Sequence, residues 1–134
     1  MTDRELADIA KRAREKAYAP YSNYLVGAAL LAKNGEVYTG CNIENAAFSP
    51  TNCAERTAFF KAVSQGAREF EVIAVVGGAR GATALSPVFP CGVCRQVMLE
   101  FCDAETFRVV TQKSGGKPES VTLKELVPHP WPEK

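Results

Sequence analysis

Long runs of like charge are missing from this 134-residue sequence, and 16 Lys and Arg against 15 Asp and Glu leave a formal net charge of only +1. A protein that grips a nucleic-acid polymer neutralises phosphates and shows a basic patch or stripe. Without one, a small neutral ligand is the better match. Apolar runs of bilayer-spanning length are missing too. Residues 1–16 mix Asp, Arg, Glu and Lys with isolated apolar residues, which excludes the apolar core of a signal peptide. The sequence therefore predicts a cytosolic protein with no membrane partner. Histidine occurs once, as His129 between two prolines and without an adjacent carboxylate, a setting for a surface or interface residue rather than a base or ligand.

Five cysteines are present. In a chain without an export signal these read as reduced thiols or metal ligands rather than a disulfide framework, and the odd number points the same way. The length and a 46% hydrophobic content suit one domain over residues 1–134, able to bury a single core without disulfide staples.

Leu6, Ile9, Ala10, Ala13 and Ala17 recur at helical spacing and Pro20 ends the pattern, which predicts a helix over 3–18. Residues 24–32 read as a strand, Lys33-Asn34-Gly35-Glu36 as a turn and 37–39 as the returning strand of a hairpin. The polar, turn-rich stretch 42–52 delivers the chain to a helix over 53–65, stopped by Gly66. A buried strand follows at 72–76, after which Gly77-Gly78 and Gly81 open a loop as far as Pro90; the next helix runs from Cys91 to about Cys102. Residues 107–111 read as a strand, 113–119 as a turn and 123–127 as a short last element. This order implies an α/β fold with a mixed sheet flanked by helices.

Cys91 and Cys94 lie three positions apart at a helix start, where their side chains share a face and free backbone N–H groups favour thiolate. Cys53 begins the other internal helix. If the two helix starts meet at one edge of the sheet, a third thiolate reaches the same ion, and three ligands with an open fourth position is the pattern of catalytic zinc. Glu55 stands two positions after Cys53, where a carboxylate can exchange protons at the open position without binding the metal. Three thiolates exceed the charge of the ion by one, which makes a bound water less acidic. Arg56 and two helix N-termini, each about half a positive charge, can offset this, Arg56 by bonding to cysteine sulfur. Two other readings of the Cys pair stand beside this one: a redox dithiol, and a non-catalytic structural zinc module with Cys41, Cys102 or His129 as fourth ligand.

Cys53-Ala54-Glu55 and Pro90-Cys91-Gly92-Val93-Cys94 together resemble the zinc-dependent cytidine deaminase family, whose signature is His-x-Glu or Cys-x-Glu followed by Pro-Cys-x-x-Cys. The likeness extends to Pro20-Tyr21-Ser22-Asn23-Tyr24, to Val26-Gly27-Ala28-Ala29-Leu30 and to Gly40-Cys41-Asn42-Ile43-Glu44-Asn45. It implies a three-layer α/β/α fold with a mixed five-stranded sheet, one Zn²⁺ per subunit, and hydrolysis of cytidine and deoxycytidine to uridine, deoxyuridine and ammonia, in pyrimidine salvage. Deamination of a nucleoside antibiotic such as blasticidin, or of a free base, is the alternative within the superfamily.

By the same resemblance Asn42 and Glu44 hold the ribose hydroxyls, the Ala54 N–H binds the 2-carbonyl oxygen of the base, and the Phe89 carbonyl accepts from its exocyclic amine. Tyr24 stands where the family commonly has Phe, and Phe48 where Tyr is familiar; both are pocket candidates. Trp131 ends a segment that in the family stacks an aromatic residue on the base in a neighbouring subunit. The resemblance thus implies a homotetramer with shared active sites.

Overall fold

The computed structural model describes residues 1–113 and 115–132. In chain order the elements are α1 (Asp3–Ala13), β1 (Tyr24–Ala32), β2 (Val37–Cys41), α2 (Ala54–Ser64), β3 (Phe70–Ala79), α3 (Gly92–Phe101), β4 (Arg108–Gln112), β5 (Pro118–Thr122) and α4 (Leu123–Leu126). The strands form one sheet in the order β2-β1-β3-β4-β5. Only β3 and β4 run parallel; the other neighbours are antiparallel. No helix among the described residues is long and apolar enough to cross a membrane.

Alternation along the strands builds the three layers. Val72, Ala74 and Val76 of β3 join Ala29 of β1 and Leu6, Ala7 and Ala10 of α1 in one buried cluster. Their neighbours Ile73 and Val75, with Ala28 and Leu30, join Ala58 and Phe59 of α2 and Cys94 and Met98 of α3 in the other. A side-chain period of two therefore seats α1 on one face and α2 with α3 on the opposite face. Phe59 lies at the centre of the second cluster, 5.1 Å centroid to centroid from Phe70, 6.0 Å from Phe107 and 6.3 Å from Phe101. It ties α2 to the end of α3, each ring pair adding about 0.5–1.5 kcal/mol beyond area burial. Gly40 on β2 sets the depth of α2, because a Cβ there would stand 2.3 Å from the Ala54 carbonyl oxygen.

Several elements differ from the sequence expectation. The first helix stops at Ala13, and a short 3-10 turn over Arg14–Lys16 follows. Arg14 turns inward there; it is 4% exposed and donates to the carbonyls of Leu25, Gly78 and Ala79. The helix thus ends at the buried Arg14, well before Pro20. Gly77-Gly78 is not a loop opening but part of β3, which continues to Ala79. The stretch 113–119, read as a turn, contains the start of β5: Pro118 opens an edge strand, where its missing N–H costs no ladder bond. The short last element is a single helical turn capped by the Thr122 hydroxyl.

Candidate active site

Cys53 and Cys91 are the residues just before the first turns of α2 and α3, both in extended backbone conformation. Residues at that place normally cap their helix through the side chain. Neither sulfur does so, which leaves both free for another partner. Cys94, one turn into α3, is fully buried. The three Sγ atoms lie within 4.8 Å of one another, Cys53 and Cys91 only 3.7 Å apart. A tetrahedral ion with zinc–sulfur bonds of about 2.3 Å holds its sulfurs about 3.8 Å apart, so this thiol set fits zinc. Among the described residues no fourth His, Cys, Asp or Glu joins them; Cys41, Cys102 and His129 lie outside the cluster. An open fourth position suits a catalytic rather than a structural ion.

Electrostatics around the sulfurs point the same way. A hydrogen bond from Cys94, then Arg56 and Cys91, holds the Cys53 thiol down at about 5. Cys94 is pushed up because it keeps the proton it shares with Cys53. Arg56 Nη2 donates to Cys53 Sγ at 3.3 Å, while Arg56 Nε is buried without a partner. A guanidinium so placed is costly beside neutral thiols and favourable beside thiolates. Glu55, 4% exposed on the first turn of α2, is pushed up to about 7, chiefly by burial and further by the Cys53 charge, against the pull of backbone N–H and Arg56. A carboxyl near that value can both take and return a proton around neutral pH.

A cavity of 270 Å³ opens over this corner. Cys53, Ala54, Glu55, Cys91, Phe89, Asn42 and Glu44 all line it, so the fold brings these sequence-chosen residues to one space. Ala54 is the first residue of α2, and its N–H has no acceptor within the helix. Asn42 and Glu44 are already partly engaged. Asn42 Oδ1 accepts from the Val26 N–H and its Nδ2 donates to the Tyr24 carbonyl, both at 2.9 Å, continuing the β1–β2 ladder past the end of β2. Glu44 accepts from the N–H groups of Tyr21 and Ser22 at 2.9 and 3.1 Å and from the Ser22 hydroxyl. The Ser22 hydroxyl first, with those two N–H groups, holds its carboxyl below the usual range.

Three sequence-chosen aromatic residues do not line this cavity. Tyr24 lies across Gly77, where a Cβ would come within 3.0 Å of its ring. Phe48 is 95% exposed on the 42–52 loop, and Trp131 is 79% exposed on the tail, its carbonyl held by Gln96 Nε2 at 2.8 Å.

The sequence model of the "cytidine and deoxycytidylate deaminase zinc-binding region" matches residues 1–111. The chain belongs to this deaminase family. A cytidine deaminase of Sporosarcina psychrophila is 55% identical over 118 residues, 88% of this chain and 82% of the relative. One of Halalkalibacterium halodurans is 52% identical over 117 residues, 87% and 84% of the two chains. The crystal structure of cytidine deaminase from Burkholderia pseudomallei superposes with a TM-score of 0.87 at 48% identity, covering 98% of this chain and 100% of the other. The cofactor of this deaminase is zinc, which the three-thiol corner fits.

Sequence reasoning passed over residues that support the deaminase site from behind. Ser22 and the Tyr21 N–H fix Glu44, and the Pro-Tyr-Ser motif was their only signal. Val26, Thr51, Asn52 and Val88 line the cavity without chemistry that marks them in sequence. Arg95, next to Cys94, donates through Nε to the Pro90 carbonyl at 2.7 Å and through Nη1 to the Leu126 carbonyl at 2.9 Å, tying the α3 start to the tail.

Proposed function

We propose that the chain hydrolyses the 4-amino group of cytidine and deoxycytidine, giving uridine or deoxyuridine and ammonia. The observation that carries this reading is Glu55, a buried carboxylate on the same helix start as Cys53 and in the same cavity as the thiol corner. Cys53, Cys91 and Cys94 are the ligands of one Zn²⁺ per chain. When bound, zinc supplies the Lewis acid that brings the acidity of water close to neutrality. Glu55 takes a proton from the water that attacks C4 and delivers it to N3 of the base. The same carboxylate then carries the remaining hydroxyl proton to the amine, which leaves C4 as ammonia. The Ala54 N–H holds the 2-carbonyl oxygen, the Phe89 carbonyl accepts from the amine, and Arg56 offsets the excess negative charge of the sulfurs.

Asn42 and Glu44 orient the sugar. Each keeps capacity for a ligand, Asn42 a second amide hydrogen and Glu44 its remaining lone pairs. The Glu44 charge also repels phosphate, favouring nucleosides over nucleotides. Residues 1–134 act as one catalytic domain in the cytosol, in pyrimidine salvage, as a homotetramer whose neighbours complete each cavity. Support for shared sites is the exposure of Phe48 and Trp131, large apolar side chains outside the chain's own cavity.

The test is the fall in ultraviolet absorbance of cytidine on adding zinc-loaded protein, with cytosine and blasticidin S assayed in parallel. Glu55→Gln keeps its zinc and loses roughly 10²- to 10⁴-fold in turnover, the usual contribution of a positioned acid–base group. Near-normal turnover by the zinc-loaded Gln protein, or preference for blasticidin S, defeats the reading.

A further inference from the structure

We propose that Thr111 is a positioning residue for recognition of the substrate's 4-amino group, acting through the Val88–Phe89 segment; this rests on the reading of the Phe89 carbonyl as acceptor of that amine. The sheet's parallel pair, β3 and β4, is in register only from Val72 with Arg108 to Ala74 with Val110. Beyond Val110 the pairing ends. The carboxyl ends of parallel strands are where open α/β sheets bind ligands.

A returning loop occupies this gap and is stitched to both strands. Ser86 forms an antiparallel bridge with Gly77 near the end of β3. Two residues later the Val88 N–H donates to Thr111 Oγ1 on β4 at 2.9 Å. Thr111 is 1% exposed, so its hydroxyl serves as a dry acceptor where the main-chain ladder has run out. On the other side Gly77 leaves room for Val88, since a Cβ there would stand 2.8 Å from Val88 Cγ2. Val88 and Phe89 then form the cavity wall. The Phe89 carbonyl lies between two anchors, the Val88 N–H on Thr111 and the Pro90 carbonyl on Arg95. Loss of the first loosens the chain at Val88, two peptide planes ahead of the one that carries the acceptor, while the thiol corner at Cys91 keeps its own support from α3 and Arg95.

This predicts a selective defect. Thr111→Val keeps the shape and removes the acceptor, leaving the half-buried Val88 N–H without its side-chain partner. In the zinc-loaded protein kcat/KM for cytidine falls about tenfold, the scale set by one lost buried hydrogen bond. Affinity for the riboside of pyrimidin-2-one, which has no 4-amino group, stays within about twofold on the same scale. Hydrogen exchange at the Val88 amide quickens, and Thr111→Ser restores the two quantities that change, kcat/KM for cytidine and the exchange rate. Should the Val protein not fold, Thr111→Cys gives the same three readings with a weakened acceptor. Unchanged exchange at Val88 overturns the role of Thr111 and leaves the Phe89 reading standing. Faster exchange with equal losses for cytidine and the amine-free riboside overturns the amine-directed role and the Phe89 reading together.

Discussion

At the thiol end of the cavity three sulfurs, Glu55 and Arg56 all come from the starts of two helices that Phe59 holds to one core. At the end proposed to hold the sugar, Asn42 and Glu44 come from a strand exit and a loop, and their polar atoms already fasten β1 and the Tyr21–Ser22 turn. At the first end Glu55 and Cys94 are buried, Cys53 is half-buried and Cys91 is exposed. The second is half open, and its expected aromatic partners point elsewhere or lie exposed. The thiols and Glu55 are thus placed by helix starts, whereas the recognition we propose for Asn42 and Glu44 falls to a strand exit and a loop.

The sharpest way to break this contrast is at the metal. Cys53→Ala, Cys91→Ala and Cys94→Ala each lose zinc and fall to background activity, because two remaining thiols do not make a catalytic site. Cys41→Ala and Cys102→Ala retain zinc. Elemental analysis of the five purified proteins decides; zinc loss from either of the last two would mean a larger thiol set than the clustered three and a structural ion.

A smaller effect belongs to Glu44. Glu44→Gln raises KM for cytidine about 10- to 100-fold, the range for a hydrogen bond to a charged group, with kcat much less changed. Ser22→Ala removes only the hydroxyl that fastens the carboxylate and costs far less. Equal losses in the two proteins would make Glu44 a clamp for the turn and not a ligand for the sugar. The shift in acidity carries a sign. The folded pKa of Glu44 lies below its ordinary value, so its stabilising contribution is present above that ordinary value and is lost as pH falls through the lowered one. Wild-type stability therefore has an acid-side loss that Glu44→Gln lacks, measurable as the difference between their denaturation midpoints across pH 3 to 5, the window around an ordinary carboxylate of about 4.3.

The same contrast explains what could be read from the sequence. Cys91 and Cys94 are legible as a pair because a helix start is a local event and a spacing of three puts both on one face; that Cys53 joins them is a contact over 38 positions, which only the family resemblance supplied. The mixed sheet flanked by helices was legible from the order of the elements, with β3 an apolar run and α1 an amphipathic face, and the three layers followed from the family resemblance. β5 was not, because an edge strand whose residues are half-buried or exposed has no strong alternation, and Pro118 with its polar neighbours imitates a turn. Gly77-Gly78 looked like a break; only the packing of Tyr24, Val88 and Leu85 across the strand shows why small residues stand inside β3. Arg14 and Thr111 are polar residues whose burial depends on contacts 64 and 23 positions away in the chain, beyond any local pattern.

The tail supplies the smallest expected effect and the clearest question about the open end. Trp131 is 79% exposed, yet its backbone is held to α3 by Gln96, so an apolar ring is presented outward from a fixed base. If a neighbour's cavity receives it, Trp131→Ala raises KM about five- to tenfold, within the usual worth of an aromatic ring stacked on a base, and leaves zinc content unchanged. Mixing distinguishes this from a local packing loss. Subunits carrying Glu55→Gln contribute an intact Trp131 but no turnover; subunits carrying Trp131→Ala contribute turnover but no ring. Co-assembled, they form sites with the wild-type KM at reduced total activity. A KM that stays raised in the mixed assemblies would place Trp131 against its own chain and leave the sugar end to be closed by the 42–52 loop alone.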